Sequence, residues 1–360
     1  MKYINKALLF IIIFIIILPI SFASENITLN DDNLSLNDNE GMSSSTYVYF
    51  DSSLSVDGNG SQNSPYNHLE SNRLNDNSIA YFFNGEYSLD QTKSFNNLTI
   101  IGQNPLNTII KSNYLQFTSS GTLSIVNITL DGVSIRNNND FTATSVIFEN
   151  NMGSYKGRYD NVFGGVIYST SGNVLIDSST FKNNNATYGG AVYTTNTNLS
   201  IVNSNFENNN AYKYGGAIAS ESNSILYISN TYFSNCYTLT NAGGAIYLKE
   251  STLNIKKSNF TSCNSTFGAV ICDLNSDSTI DSIIASNNIA NYQGGAIYKM
   301  YGNMTITSST FNSNKALNGG AVFADNSSEV IIESSTFNSN EAIYEGGAIY
   351  TILNSKEIVS

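Results

Sequence analysis

The chain has 360 residues, a formal net charge of −12, 12% charged residues and 41% hydrophobic residues. That much apolar material excludes wholesale disorder, and the acidic balance excludes a nucleic-acid binder, which needs a basic face to meet phosphates. With 23 Tyr, 19 Phe, no Trp and abundant Asn, Ser, Thr and Gly, the composition disfavours helix and predicts an all-β protein.

In chain order, the first element is a targeting segment. Lys2 and Lys6 precede an unbroken apolar stretch over residues 7–20, and Ser21 and Ala23 are the small residues of a cleavage site. This pattern predicts a secretory signal peptide over residues 1–23, cut between Ala23 and Ser24. An uncleaved membrane anchor is the weaker reading, because the stretch is short against the roughly 20 residues a bilayer needs. No Cys follows that could carry a lipid, and removing Lys2 and Lys6 takes the charge from −12 to −14. The mature protein is expected outside the cytoplasm, secreted or at the cell surface. Residues 24–45 are acidic, rich in Asn and Ser and free of aromatics until Tyr47, which predicts a solvated, disordered arm.

Residues 46–95 are expected to form an N-terminal cap and first coil. They hold the apolar run Tyr47 to Phe50, a loop at Asp57-Gly58-Asn59-Gly60, and Ser64 followed by Pro65. Ser before Pro reads as a helix N-cap with Pro at the first helical position, so a short capping helix is expected over residues 65–74.

From residue 96 to 360 the chain repeats itself. The string Gly-Gly-Ala-(Ile/Val)-aromatic recurs with little change, its second glycine at Gly165, Gly190, Gly216, Gly244, Gly295, Gly320 and Gly347, and a weaker copy aligns Gly268 with them. The separations are then 25, 26, 28, 24, 27, 25 and 27 residues. A second string, Phe-x-x-Asn, runs out of phase at Phe148, Phe181, Phe206, Phe311 and Phe337. Phe233 and Phe260 keep the Phe but carry Cys at the fourth position, and Ile284 is read as a stand-in for Phe. A period near 26 built from short alternating segments cannot bury its apolar face alone, whereas stacked coils can. The expected fold is a right-handed parallel β-helix. Phe181, Phe206, Phe233, Phe260, Phe311 and Phe337 should form one internal stack, and Val192, Ile218, Ile246, Val270, Ile297, Val322 and Ile349 another. The Asn runs are expected at bends, where Asn tolerates left-handed φ and can ladder between coils. The glycine pairs are expected at corners that need positive φ or close backbone approach. The last coil, beginning near Thr351, looks incomplete.

Chemistry-bearing residues are sparse. Only Arg73, Arg136 and Arg158 are arginines, His68 is the sole histidine, and Asp31-Asp32, in the acidic arm, is the only adjacent acidic pair. General acid/base work needs two positioned groups, so no catalytic residue, cofactor or metal is expected. Asp57-Gly58-Asn59-Gly60 lacks the bidentate Glu of an EF-hand and reads as a turn. Cys236 and Cys263 occupy one slot of adjacent repeats, a spacing that admits a rung-to-rung disulfide or two buried thiols, and Cys272 is left over.

The paired Gly-Gly-Ala-Ile and Phe-x-x-Asn strings resemble the repeat of the chlamydial polymorphic outer membrane proteins. With the segments Asp57 to Tyr66, Asn84-Gly85-Glu86-Tyr87 and Asn97 to Gly102, the chain is also similar to adhesin-like β-helix proteins of gut methanogenic archaea. The resemblance implies a surface-exposed or secreted, adhesin-like right-handed β-helix, and the lack of paired acid/base groups makes it non-enzymatic in this first reading. Its partners would be host or microbial surface glycans or proteins, with no small-molecule cofactor. A passive surface scaffold that self-associates end to end is the second reading, and a polysaccharide lyase or hydrolase of the pectate-lyase-like fold the third.

Overall fold

The computed structural model describes residues 46–152, 162–353 and 355–359. The expected signal peptide, its cleavage site, the acidic arm and Arg158 lie outside the described residues. What is described is a right-handed parallel β-solenoid of about ten turns. One long sheet has 13 strands, from Thr46–Phe50 to Lys356–Val359, which at a spacing of ~4.8 Å extends over roughly 60 Å.

One coil shows why the sequence folds this way. Asn198–Val202 lies in the long sheet and Asn205–Glu207 follows. Asn210–Tyr214 belongs to a seven-stranded sheet, and Ile218–Glu221 closes the turn. In Asn198–Val202, Leu199 and Ile201 are buried while Asn198 is exposed, the alternation expected of a strand with one core face. The next coil repeats the pattern in register, with Leu199 opposite Leu226, Phe206 opposite Phe233 and Ile218 opposite Ile246. All these pairings are parallel, so like side chains stack on like.

Bends between strands explain the Asn-rich composition. Asn203, Asn230, Lys257, Ser282, Ser308 and Ser334 hold φ between 48° and 55° at one recurring bend. Asn183, Asn208, Asn235, Ser262, Asn287, Ser313 and Ser339 do so at a second. Non-Gly residues enter this left-handed region at a cost, and Asn tolerates it best. Within each Asn run the labour divides. Asn183 and Asn208 take the left-handed turn, whereas Asn184 and Asn209 point inward and are fully buried. The Oδ1 of Asn209 accepts from the Asn184 amide at 2.9 Å and from its backbone N–H at 3.2 Å, while its own Nδ2 donates to the Phe181 carbonyl. Asn288, Asn314 and Asn340 repeat the ladder.

Four expectations need correction. The capping helix over residues 65–74 is absent. Only a 3-10 turn, Ser71–Arg73, forms, and Glu70 before it makes no side-chain cap. Tyr66 instead joins a β-bridge to Phe50, which a helix starting at Pro65 would forbid. Thr46–Phe50 already pairs with Ser78–Phe82, and that strand with Leu98–Gly102, so residues before 96 are coils of the same solenoid.

The Phe stack is real but broken. Centroid separations are 4.7, 4.6, 4.9 and 4.7 Å along Phe148, Phe181, Phe206, Phe233 and Phe260, and 4.9 Å between Phe311 and Phe337. Between the two groups sits Ala285, in register with both Phe260 and Phe311. Ile284, the expected stand-in, is exposed, because one residue of slip puts a side chain on the other face.

The aliphatic column contains Ile271, not Val270, opposite Ile246 and Ile297. The weak repeat copy is therefore shifted by one. Gly268 is the counterpart of the first glycine in each pair, and Ala269 fills the slot of the second.

The two glycines of each pair also do different things. Positive φ belongs to the first, at Gly164, Gly189, Gly215, Gly243, Gly268, Gly294, Gly319 and Gly346. The second needs close approach: a Cβ on Gly190 would lie 2.1 Å from the Gly216 carbonyl oxygen. Gly165, Gly216, Gly244, Gly295 and Gly320 are equally tight, whereas Gly347 has space around it.

Candidate binding surface

In each strand after a glycine pair, the first and third residues face the main core and the second faces away. Val192 and Thr194 point inward, so Tyr193 points outward. It is nevertheless buried, because aromatics preceding the glycines pack over it. Tyr193, Tyr247, Cys272, Tyr298 and Phe323 form a second cluster, covered in part by the half-buried Phe163, Tyr168, Tyr188, Tyr214 and Phe267. Ring centroids lie 4.9 Å apart for Phe163 and Tyr188, 5.8 Å for Tyr188 and Tyr214, and 4.4 Å for Tyr214 and Tyr247. The arrangement is an aromatic band along the side of the solenoid, interrupted by Cys272 between Tyr247 and Tyr298, with buried rings under half-buried ones.

Polar groups punctuate the band. The Tyr193 hydroxyl donates to Glu221 Oε2 at 2.9 Å, and burial together with that carboxylate raises the phenol's pKa well above its ordinary value. The Tyr298 hydroxyl donates to Asp325 Oδ2 at 3.3 Å, and burial and Asp325 raise its pKa in the same way. The other oxygen of Asp325 is buried without a hydrogen-bond partner. Cations lie over two of the rings, Arg136 4.9 Å from the Tyr168 centroid and Lys213 5.4 Å from that of Tyr188, close enough for cation–π attraction. Such a band offers flat apolar faces beside hydroxyls, carboxylates and cations, the mixture that recognises partly apolar, partly polar partners.

A charged row lies on a different part of the surface. Lys111 is in register with Asp131, Asp131 with Glu149, Glu149 with Lys182 and Lys182 with Glu207. Lys111 Nζ is 2.7 Å from Glu86 Oε1, and Asn150 donates to Asp131 at 3.0 Å. Ser88, Leu89, Lys111, Asp131 and Asn150 line a cleft there of about 390 Å³. The sequence reading missed this row because its members are 18 to 33 residues apart and become neighbours only when coils stack.

The residues singled out from sequence are placed as follows. His68 is exposed and lies beside Glu70 at 3.0 Å, and it belongs to neither the aromatic band nor the charged row. Asp57 is held by Arg73, whose Nη1 and Nη2 donate at 2.9 and 2.7 Å, and by the Asn67 backbone N–H at 3.0 Å. The Arg73 hydrogen bonds hold its carboxyl below the usual carboxylate range. Asp57 is thus the anchor of a turn. Cys236, Cys263 and Cys272 are buried free thiols. Cys236 and Cys263 take the slots of the inward Asn ladder, between Asn209 and Asn288, and the backbone N–H of Cys263 donates to Asn288 Oδ1 at 2.9 Å. Among the described residues no group of three or more His, Cys, Asp or Glu could hold a metal ion. No helix among them is long and apolar enough to cross a membrane.

Comparison with known proteins agrees with this geometry. The sequence profile for a right-handed β-helix region matches residues 190–359, just under half of the chain. The profile for the Chlamydia polymorphic membrane protein repeat matches residues 178–195, which span the Phe181 and Gly190 strings. No curated protein and no solved structure matches the chain. By fold the molecule is a right-handed parallel β-helix carrying a repeat similar to that of a bacterial surface-protein family.

Proposed function

We propose that the chain is a secreted or surface-exposed, non-enzymatic adhesin-like protein that attaches to glycans or proteins of other surfaces through its aromatic band. The observation that carries this reading is the run of half-buried rings Phe163, Tyr188 and Tyr214 packed on the buried Tyr247, held rigidly by the solenoid. Rigid aromatics lose little conformational entropy when a partner docks. The similarity to a surface-protein repeat and the signal-like residues 1–23 support export, and cleavage after Ala23 is part of the proposal.

The test is retention of the purified protein on whole cells, mucin and insoluble polysaccharides across a concentration series. Saturable retention is expected, and Tyr188→Ala combined with Tyr214→Ala should lower it at least tenfold while circular dichroism stays that of the parent. Absence of retention on every surface would leave the passive scaffold as the reading.

The charged row gives polysaccharide cleavage a specific basis as a second reading, since Asp131 stacks directly beside Lys111 at a cleft and Glu149 follows Asp131 one coil further on. Sugar released into the supernatant, and abolished by Asp131→Asn, would establish it and overturn the non-enzymatic assignment.

A further inference from the structure

Among the described residues, the interior of the solenoid holds an ion pair that the binding surface does not use. Asp273 and Lys299 face each other on adjacent coils in direct register, and both side chains are 0% exposed. Lys299 Nζ lies 2.9 Å from Asp273 Oδ1. The neighbours in register above and below are Leu248 and Ala324, so apolar side chains flank the pair on both sides. Two further contacts fix it: Ser278 Oγ donates to Asp273 Oδ2, and Lys299 Nζ donates to the Ser276 carbonyl.

Buried ion pairs are poor stabilisers, because desolvating two charges offsets their attraction. Burial pushes the Asp273 carboxyl up to about 6, which brings its neutral form within reach. A carboxyl and an amine held in contact in a dry interior are also positioned to react, since enforced proximity replaces a bimolecular encounter.

We propose that Asp273 and Lys299 condense to an amide, an intramolecular isopeptide bond joining two successive coils from inside. The ammonium of Lys299 passes one proton to Asp273 Oδ1, and the free amine attacks Cγ. A second proton moves from nitrogen to the same oxygen, the Cγ–Oδ1 bond breaks and one water leaves. Oδ2, already bonded by Ser278, becomes the amide oxygen. No oxidant or cofactor is required, and two buried charges are replaced by one neutral amide.

Trypsin reads the outcome directly. No Lys or Arg lies between Lys257 and Lys299, or between Lys299 and Lys315, and an acylated lysine is not cut. The full chain, folded and then reduced, alkylated and digested, should yield a peptide spanning Ser258–Lys315 that lacks the mass of one water. Separate peptides Ser258–Lys299 and Met300–Lys315 at full mass would overturn the proposal. A dehydrated Ser258–Lys299 would also overturn it, since that marks a cyclic imide rather than a cross-link. Lys299→Arg, whose guanidinium does not acylate, should restore cleavage at position 299 and full mass. Loss of water persisting in that variant would place the dehydration elsewhere and refute the assignment.

Discussion

Asn209 shows what a single position inside the coil must satisfy. Its side chain closes three hydrogen bonds, two from Asn184 and one to Phe181, with no exposure to water. Asn209→Ala strands the backbone N–H of Asn184 in the interior and takes a donor away from the Phe181 carbonyl, while the Asn184 side-chain amide keeps its bond to the Phe148 carbonyl. Each buried polar group left unpaired costs about 1–3 kcal/mol, so a loss of that order or somewhat more is expected in urea denaturation. The same slot holds Cys236 and Cys263 two and three coils from Asn184, where the thiols interrupt the ladder and Cys236 contacts the Phe206 carbonyl at 3.6 Å. Burial raises the Cys272 thiol, and the Cys236 contact followed by burial raises that of Cys263, which disfavours the reactive thiolate. Iodoacetamide should therefore leave the folded chain unlabelled and add three groups after unreduced unfolding. Uptake of a single group would show Cys236 and Cys263 joined as a disulfide, with Cys272 alone free.

The element that sets the shape of each coil is the glycine corner. Gly189 adopts φ +61, and Gly190 lies against the next coil, so the pair turns the chain and lets coils approach in one step. Gly190→Ala would force a Cβ to 2.1 Å from the Gly216 oxygen, a contact only backbone movement can relieve. A loss of about 1–3 kcal/mol in chemical denaturation is expected, typical of overpacking. Much of this element was legible beforehand, because Gly-Gly-Ala-Ile recurs along the chain. The assignment of roles was not. Gly268 aligned with the second glycines by residue type, yet its φ of +57 puts it with the first. Ile284 looked like a Phe substitute because it is apolar, yet strand parity turned it outward and gave the core slot to Ala285. Composition marks which residues suit a core, but only the hydrogen-bond register decides which of two neighbours enters it.

At the scale of the molecule, the solenoid is a stack in which each coil touches mainly its neighbours, so stability is close to a sum over coils and interfaces. Ends then matter, because an uncovered coil presents unpaired edges. At the N-terminal end Leu69 and Leu74 complete the core and Tyr66 packs on Phe50. Arg73 fastens that segment by gripping Asp57 and lying 4.1 Å over the Tyr66 ring. Asp57 has a lowered carboxyl pKa in the fold, so its contribution is full above the unfolded value of about 3.9 and is lost as pH falls through the folded value. The native protein should therefore lose stability more steeply than Asp57→Asn below about pH 4. Parallel acid limbs in the two proteins would show that the clamp contributes nothing.

The sequence by itself determined the architecture. A period near 26, alternating apolar residues and Asn-rich bends leave a stacked parallel coil as the arrangement that buries every unit. It also placed the Phe column, since each Phe recurs with the period and the strands stack in register. Tertiary structure decided the rest. The aromatic band needs residues before and after a glycine corner to fold onto one another, as Tyr214 does on Tyr247. The Lys111–Asp131–Glu149 row and the Asp273–Lys299 pair each join coils that sequence separates. Periodicity reports which face a residue takes, whereas chemistry depends on what the coils above and below place beside it.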